Sequence, residues 1–245
     1  MRRTAANDNN LKTVPTIVSI DEEGPLIDLG RKYFEDPGCK TWKMYRLYEP
    51  YLLPHRERKV RVLELGVHTG ASLMVWHEFF RDATIAGLDL QPLQRDLPDG
   101  VRFYQGGQED LGLLTRISEE MAPEGWDIII DDASHLASPT RASFWHLFTN
   151  HLRPGGLYFI EDWGTGYWDD WEDGSSYQER GSEDPRRYLS HDHGMVGFVK
   201  QLVDEAGRNA IHKTSALPSE RRTMFDHMCI TPGFVVVKKK RLGWD

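Results

Sequence analysis

Cysteine and long apolar runs are scarce in this sequence, and its 30 Lys and Arg residues are outnumbered by 38 Asp and Glu. Its two cysteines, Cys39 and Cys229, stand far apart and form no metal-binding or redox motif, which is typical of a reducing cytosol. The formal net charge of -8 argues against nucleic acid as a partner, because phosphate binding needs clustered Lys and Arg. Neither a membrane-spanning run nor the apolar core of a signal peptide is visible. We therefore expect a cytoplasmic protein without nucleic-acid or membrane partners.

Strand-like and helix-like segments alternate through most of the chain. The strand candidates are "KVRVLELG", "ATIAGLDL", "VRFYQGG", "WDIIID" and "GGLYFIED", with amphipathic helical stretches between most of them. This alternation predicts an α/β fold with a doubly wound, mostly parallel sheet. Near the end, "HMCI" and "FVVVKK" flank "TPG", so we expect the sheet to finish with an antiparallel hairpin.

Three segments differ from this core. Residues 1–25 are polar and aperiodic, which predicts a flexible N-terminal segment ahead of a single domain over 26–245. Residues 26–54 predict two helices, and their aromatic side chains offer apolar surface for a homo-oligomer, a dimer or tetramer. Residues 163–193 mix aromatic, acidic and glycine residues without periodicity, which is typical of a lid or binding loop.

The stretch "RVLELGVHTGAS" predicts a strand, a glycine turn and the start of a helix. Gly66 and Gly70 allow a tight turn and close approach of a ligand to the free amides of the helix N-terminus. Asp89 ends the next strand, 19 positions after Gly70, where an acid accepts hydrogen bonds from a ribose. The alternative is that both glycines are plain turn residues and that Asp89 caps a helix. The combined pattern favours a nucleoside-type cofactor.

Pairs of acids end two strands that one helix connects. Asp131-Asp132 closes "WDIIID" and Glu161-Asp162 closes "GGLYFIED", so the pairs should meet at the carboxyl edge of the sheet. Converging carboxylates favour a hard cation such as Mg²⁺, although turn capping and solvated strand ends would explain either pair alone. His135, three residues after Asp132, is a candidate general base for a metal-activated hydroxyl.

Together, "ELGVHTGASLMVW", "IIIDDASH" and "LRPGGLYFIEDWGTGYW" resemble the metal-dependent sugar O-methyltransferases of macrolide biosynthesis. Cephalosporin hydroxylase-type proteins are similar in the same core. The resemblance implies a Rossmann-like class I methyltransferase fold, S-adenosyl-L-methionine (SAM) as cofactor and a bound Mg²⁺. It also implies that Asp132, Glu161 and Asp162 are the metal ligands and that His135 is the base.

For the cofactor-binding residues, the sequence departs from the family motif at one position. The family sequence "GDQ" reads "GGQ" here, at Gly106 to Gln108, and we assign the adenosine-side contact to Gln108. Asp131 is expected to be a cofactor or structural contact. The full set of predicted cofactor-binding residues is Glu64, Gly66, Gly70, Ser72, Asp89, Gln108 and Asp131.

The expected activity is Mg²⁺-dependent transfer of a methyl group from SAM to a hydroxyl of a sugar or glycosylated natural product. A metal-dependent O-methyltransferase of catechols is the alternative enzyme, since a catechol is also a vicinal diol. An oxidative or accessory role follows from the hydroxylase-type relatives. A module that binds SAM without chemistry is disfavoured, because a pure binder has no need of the base His135.

Overall fold

The computed structural model describes residues 23–176, 191–211 and 222–241. Positions 1–22 of the predicted flexible segment 1–25 therefore lie outside the described residues. The middle of the predicted lid, residues 177–190, lies outside them as well.

All seven predicted strands are present in one sheet. Their order is β3-β2-β1-β4-β5-β7-β6, with β1 to β5 parallel and β7 antiparallel to both β5 and β6. The mostly parallel sheet and its C-terminal antiparallel hairpin are confirmed. The strands are β1 (Lys59–Leu65), β2 (Asp82–Asp89), β3 (Val101–Gln105), β4 (Trp126–Asp131), β5 (Leu152–Glu161), β6 (Phe225–Ile230) and β7 (Phe234–Lys239).

The helices flank the sheet on both faces. They are α1 (Pro25–Lys32), α2 (Trp42–Leu52), α3 (Ala71–Phe79), α4 (Leu111–Met121), α5 (Ala137–Asn150), α6 (Glu172–Ser175) and α7 (Gly194–Ile211), with 3₁₀ turns at Leu53–His55 and Trp163–Tyr167. The first five were predicted, whereas α6 and α7 were not. None of the helices in the described ranges combines the length and the apolar character needed to traverse a bilayer.

Two apolar cores enclose the sheet, one on each face. On one face, α5 and α7 pack through Phe144, Phe148 and Phe198. On the other, Tyr45 and Tyr48 of α2 pack edge-on against the Trp76 ring of α3. The aromatic side chains at positions 45 and 48, which we expected to offer surface to a second copy, are fully buried within the chain.

The sheet reverses its winding direction between β1 and β4. From β1 the chain proceeds outward through β2 and β3, then returns to place β4 on the other side of β1. Leu65 is paired with Leu88 on one side and Asp131 on the other, so the carboxyl ends of β1, β2 and β4 are level. Ligands of open α/β sheets bind at such a reversal, outside the carboxyl ends of the strands.

Candidate active site

The turn after β1 has the close backbone approach that its glycines predict. Gly66 and Gly70 adopt φ angles of +81° and +76°, in the left-handed region that glycine enters without steric cost. A Cβ on Gly66 would lie 2.1 Å from the backbone oxygen of Asp132. A side chain is therefore excluded at this position, and the turn after β1 packs directly on the loop after β4.

Asp89 lies beside this turn, at the end of β2. Its Oδ2 accepts a hydrogen bond from the backbone N–H of His68 at 2.8 Å, and its Oδ1 accepts one from Gln91 N–H at 2.9 Å. Asp89 lines an open cavity together with Gly66 and Gln108. Each oxygen retains a lone pair that can accept a hydrogen bond from a ligand hydroxyl.

Glu64 and Ser72 lie beneath the turn and do not line the cavity. The Ser72 hydroxyl and the Trp76 indole N–H donate hydrogen bonds to Glu64 Oε2, at 2.7 and 2.9 Å. Burial raises the pKa of Glu64. Its Oε1 is buried without a hydrogen-bond partner and lies 3.3 Å from Lys40 Nζ. The hydrogen bonds from Ser72 and Trp76 to Glu64 tie α3 to β1. Glu64 Oε1 can still accept a hydrogen bond.

Gln108 and Asp131 form a second buried network on the other side of the cavity. The Asp131 carboxylate accepts hydrogen bonds from Gln108 Nε2, Ser143 Oγ and Tyr158 Oη, at 2.9 to 3.1 Å. Burial raises the pKa of Asp131 to about 6. The amide oxygen of Gln108 accepts from the backbone N–H of Ser134 at 2.9 Å. Asp131 does not line the cavity, and it orients Gln108, which does.

The predicted base and two of the predicted metal ligands lie together at the carboxyl edge of the sheet. Nε2 of His135 is 2.9 Å from Oδ1 of Asp132, and Nδ1 is 3.8 Å from Oδ2 of Asp162. One donor atom from each of these three residues lies within 4.8 Å of the others. Although burial favours the neutral ring, the hydrogen bond to Asp132 raises the pKa of His135.

Backbone strain is concentrated at this edge. His135 and Asp162 have φ angles of +53° and +48°, and His68 of the cofactor turn has +47°; in the described ranges no other residue except glycine has a positive φ. Such conformations cost about 1–3 kcal/mol each and persist where the surrounding structure enforces them. The strained backbone at positions 135 and 162 directs the two side chains toward each other.

Glu161 has partners that the sequence did not predict. Its Oε1 accepts a hydrogen bond from Tyr48 Oη at 2.7 Å and lies 2.8 Å from Lys40 Nζ. The same ammonium contacts Asp132. Burial, reinforced by the charge of Asp132, raises the pKa of Glu161 to about 8. No spacing or motif signals these two residues, because Lys40 enters from the loop between α1 and α2 and Tyr48 enters from α2.

The donor set fits a hard divalent cation. Glu161 and Asp132 are joined through one ammonium, and Asp162 lies beside His135. The three carboxyl groups share one ammonium, and burial raises the pKa of Glu161 to about 8, so ionisation of all three at neutral pH needs a further cation. Carboxylate oxygens are the ligands that Mg²⁺ prefers, with one or two from the protein and the rest from water or substrate.

The segment after β5 covers the edge with aromatic side chains. The Trp171 ring centroid is 5.8 Å from that of His135, and its buried Nε1 has no hydrogen-bond partner among the described residues. Tyr167 and Trp168 are about half exposed. Thr165 anchors the segment, because its hydroxyl donates to the backbone oxygen of His135 at 3.0 Å. The ring of Trp171 therefore borders the histidine with a flat, partly apolar surface.

The strand order, the cavity at the reversal point and the adjoining acid edge define a Rossmann-like α/β protein of the methyltransferase type. No family model matches the sequence. The chain is 37% identical over 187 residues to mycinamicin VI 2''-O-methyltransferase of Micromonospora griseorubida, covering 73% of this chain and 43% of that protein. It is 37% identical over 164 residues to demethylmacrocin O-methyltransferase of Streptomyces fradiae, covering 64% and 38%.

A solved structure with the same fold is the MycE methyltransferase of the mycinamycin biosynthetic pathway, in complex with Mg, SAH and mycinamycin VI. It superposes with a TM-score of 0.71 at 30% identity, covering 91% of this chain and 55% of MycE. The homologues of this chain are thus macrolide sugar O-methyltransferases, and the resemblance predicted from the motifs is confirmed. The chain spans less than half the length of the curated relatives that it matches.

Proposed function

We propose that this protein transfers a methyl group from SAM to a hydroxyl of a sugar or glycosylated small molecule, with Mg²⁺ bound at the acid edge. The observation that carries the proposal is the contact at Gly66, where the turn lining the cavity meets the backbone of Asp132. The cavity and a metal-type donor set therefore adjoin each other. The MycE complex, which contains Mg, SAH and mycinamycin VI, supports the same assignment.

On the cofactor side, the cavity residues would bind the nucleoside part of SAM. Asp89 lines the cavity, and its oxygens would accept hydrogen bonds from the ribose hydroxyls with their remaining lone pairs. Gln108, held by Asp131 and Ser134, would contact the adenosine. Gly66 and Gly70 would let the backbone approach the cofactor, while the buried Glu64 and Ser72 support the turn from below.

On the metal side, Asp132, Glu161 and Asp162 would bind Mg²⁺, which when bound lowers the pKa of a coordinated hydroxyl. His135 would accept the acceptor's proton. Its Nε2 donates to Asp132 when the ring is neutral, which leaves the lone pair on Nδ1, the nitrogen facing Asp162. The hydroxyl oxygen forms a bond to the methyl carbon as the carbon–sulfur bond breaks, and the bonding pair stays on sulfur.

The acceptor would bind against the aromatic wall at the edge. Trp171 flanks His135 and offers an unpartnered N–H, while Tyr167 and Trp168 expose ring surface nearby. Flat rings with a few polar groups suit the apolar faces and hydroxyls of a saccharide. We assign the described part of the predicted lid, residues 163–176, to the cover of this acceptor site.

The proposal is tested by incubating the protein with SAM, Mg²⁺ and a panel of glycosylated natural products, free saccharides and catechols. Mass spectrometry should detect a product 14 Da heavier than a glycoside or saccharide, the mass of one added CH₂, that comigrates with the authentic methyl ether. His135→Ala is the inactive comparison and His146→Ala, on α5 with Nε2 hydrogen-bonded to Thr115, is the matched control. Turnover of catechols alone would favour the catechol enzyme, and an oxidised product would favour the hydroxylase-type role.

The assembly and location of the protein are further parts of the proposal. We propose a homo-oligomer, because Phe34 of the N-terminal region and Ile230 of the edge strand β6 remain about half exposed. Light scattering should give a mass of two or four chains, and a monomer of 28.3 kDa at working concentration would contradict it. The cytoplasmic location stays a prediction.

A further inference from the structure

Lys40 lies at the acid edge and has no role in the proposed chemistry. It lies in the loop between α1 and α2, and its side chain is only 8% exposed. Its ammonium contacts Asp132, lies 2.8 Å from Glu161 Oε1 and lies 3.3 Å from Glu64 Oε1. In the ranges that the structure describes, no other Lys or Arg forms an ion pair with these three carboxylates.

The carboxylates at this point depend on one ammonium for their charge balance. Glu64, Asp132 and Glu161 share the one ammonium, and Asp162 adds a fourth carboxylate beside His135. A buried charge that loses its partner is strongly destabilising, because the desolvation cost is no longer offset. Lys40 therefore neutralises carboxylates that would otherwise repel one another when no divalent cation is bound.

Lys40 contacts two of the carboxylates that would bind a divalent cation. Asp132 and Glu161 are both metal ligands in the function proposed above, and Lys40 Nζ touches both. Two cations that share the same carboxylates repel each other, and this repulsion is weakly screened in a partly buried place. The positive charge of Lys40 therefore opposes binding of the divalent cation.

We propose that Lys40 is an internal counter-ion that competes with the divalent cation for Asp132 and Glu161. It stabilises the metal-free fold and weakens cation binding, so that the cation is held reversibly. Through its third contact, with Glu64 under the Gly66 turn, Lys40 also joins the cofactor half of the site to the metal half. This inference rests on the proposed function, because the same carboxylates must bind the cation.

The experiment compares wild type, Lys40→Met and Lys32→Met by calorimetric titration with MgCl₂ and by thermal melting in EDTA. Lys32 pairs with Glu78 through an exposed ammonium at 2.6 Å, so Lys32→Met removes one positive charge elsewhere on the chain. We expect Lys40→Met to melt at a lower temperature in EDTA and to bind Mg²⁺ at least about tenfold more tightly. Lys32→Met should match wild type in both measurements.

A charge-retaining variant separates the counter-ion role from packing. Lys40→Arg should melt close to wild type in EDTA and should not gain Mg²⁺ affinity, because its cation remains. If Lys40→Met does not fold without metal, it should be purified with Mg²⁺. Lys40→Gln, a second neutral variant, should also melt at a lower temperature in EDTA and bind Mg²⁺ more tightly than wild type. Unchanged or weaker Mg²⁺ binding in the neutral variants, relative to wild type, would overturn the inference.

The outcomes also separate this inference from the proposed function. Mg²⁺ binding by Lys40→Met but not by wild type would support the competition and contradict a metal-dependent wild-type enzyme. Mg²⁺ binding by wild type with no gain in Lys40→Met would leave the function standing and overturn the inference. Binding by neither protein would overturn both.

Discussion

The imidazole of His135 is hydrogen-bonded to Asp132, with 2.9 Å between Nε2 and Oδ1. The predicted base and a predicted metal ligand are therefore linked directly, three positions apart on the loop after β4. The same ring also faces Asp162 through Nδ1. Because of this double contact, the base is oriented by the two carboxylates whose charge the metal would neutralise.

Replacing the base should separate proton transfer from binding. His135→Ala is expected to keep the affinities for SAM and Mg²⁺ and to lose rate by roughly 10²–10⁴-fold, the usual effect of removing a positioned base. Single-turnover kinetics and calorimetry measure the two properties separately. His146→Ala, which alters a histidine of α5, should change neither. Loss of Mg²⁺ binding in His135→Ala would instead make the histidine a ligand, together with Asp132 and Asp162.

Replacing a metal ligand should weaken Mg²⁺ binding, which replacing the base should not. Asp132→Asn is expected to reduce Mg²⁺ affinity by at least about tenfold and to abolish turnover, because a neutral amide is a poorer ligand for a hard cation. EDTA should stop the wild-type reaction, and added Mg²⁺ should restore it. Asp226→Asn, in β6 and paired with Lys238, is the matched control. Turnover that survives EDTA would contradict a metal-dependent mechanism.

Replacing the acid at the end of β2 should affect the cofactor alone. Asp89→Ala is expected to weaken SAM binding by at least about tenfold, the order of one charged hydrogen bond. Calorimetry with SAM measures this, and the Mg²⁺ titration of the same variant should be unchanged. The Asp89 carboxylate also caps two backbone N–H groups of the loops, so circular dichroism should verify the fold. Wild-type affinity in Asp89→Ala would refute the ribose contact.

The buried carboxyl of Glu161 makes a pH-dependent contribution to stability. Burial and Asp132 raise its pKa from 4.5 to about 8, so the folded state binds this proton more tightly than the unfolded state. Its contribution is complete below pH 4.5 and is lost as pH rises through about 8. In EDTA, the melting temperature of wild type should therefore fall over this interval, and Glu161→Gln should reduce the fall.

A second carboxylate provides the control for this measurement. The hydrogen bond from Lys32 lowers the pKa of the exposed Glu78, so Glu78→Gln should leave the slope between pH 4.5 and about 8 unchanged. An identical slope in wild type and Glu161→Gln would contradict the assignment. Added Mg²⁺ should lessen the fall in wild type, since the cation binds the ionised carboxylate.

The local sequence pattern determined the framework of this protein. The β-branched run of β4 and the glycines at 66 and 70 predicted a buried strand and a tight turn, because a side chain's burial and a backbone's φ depend mainly on residue type and immediate neighbours. The acids ending β4 and β5 were predicted to meet, since parallel neighbours end at one edge. The hairpin of β6 and β7 followed from "TPG" in the same way.

Only the tertiary structure decided which direction each acid faces and what neutralises it. Asp131 is the last residue of β4 and enters the network of Gln108 and Tyr158. Asp132 is the first residue of the following loop and contacts Lys40 and His135. Lys40 reaches Asp132 across 92 positions. Local pattern carries no information about such a contact, since it exists only after the N-terminal helices pack on α3 and the sheet.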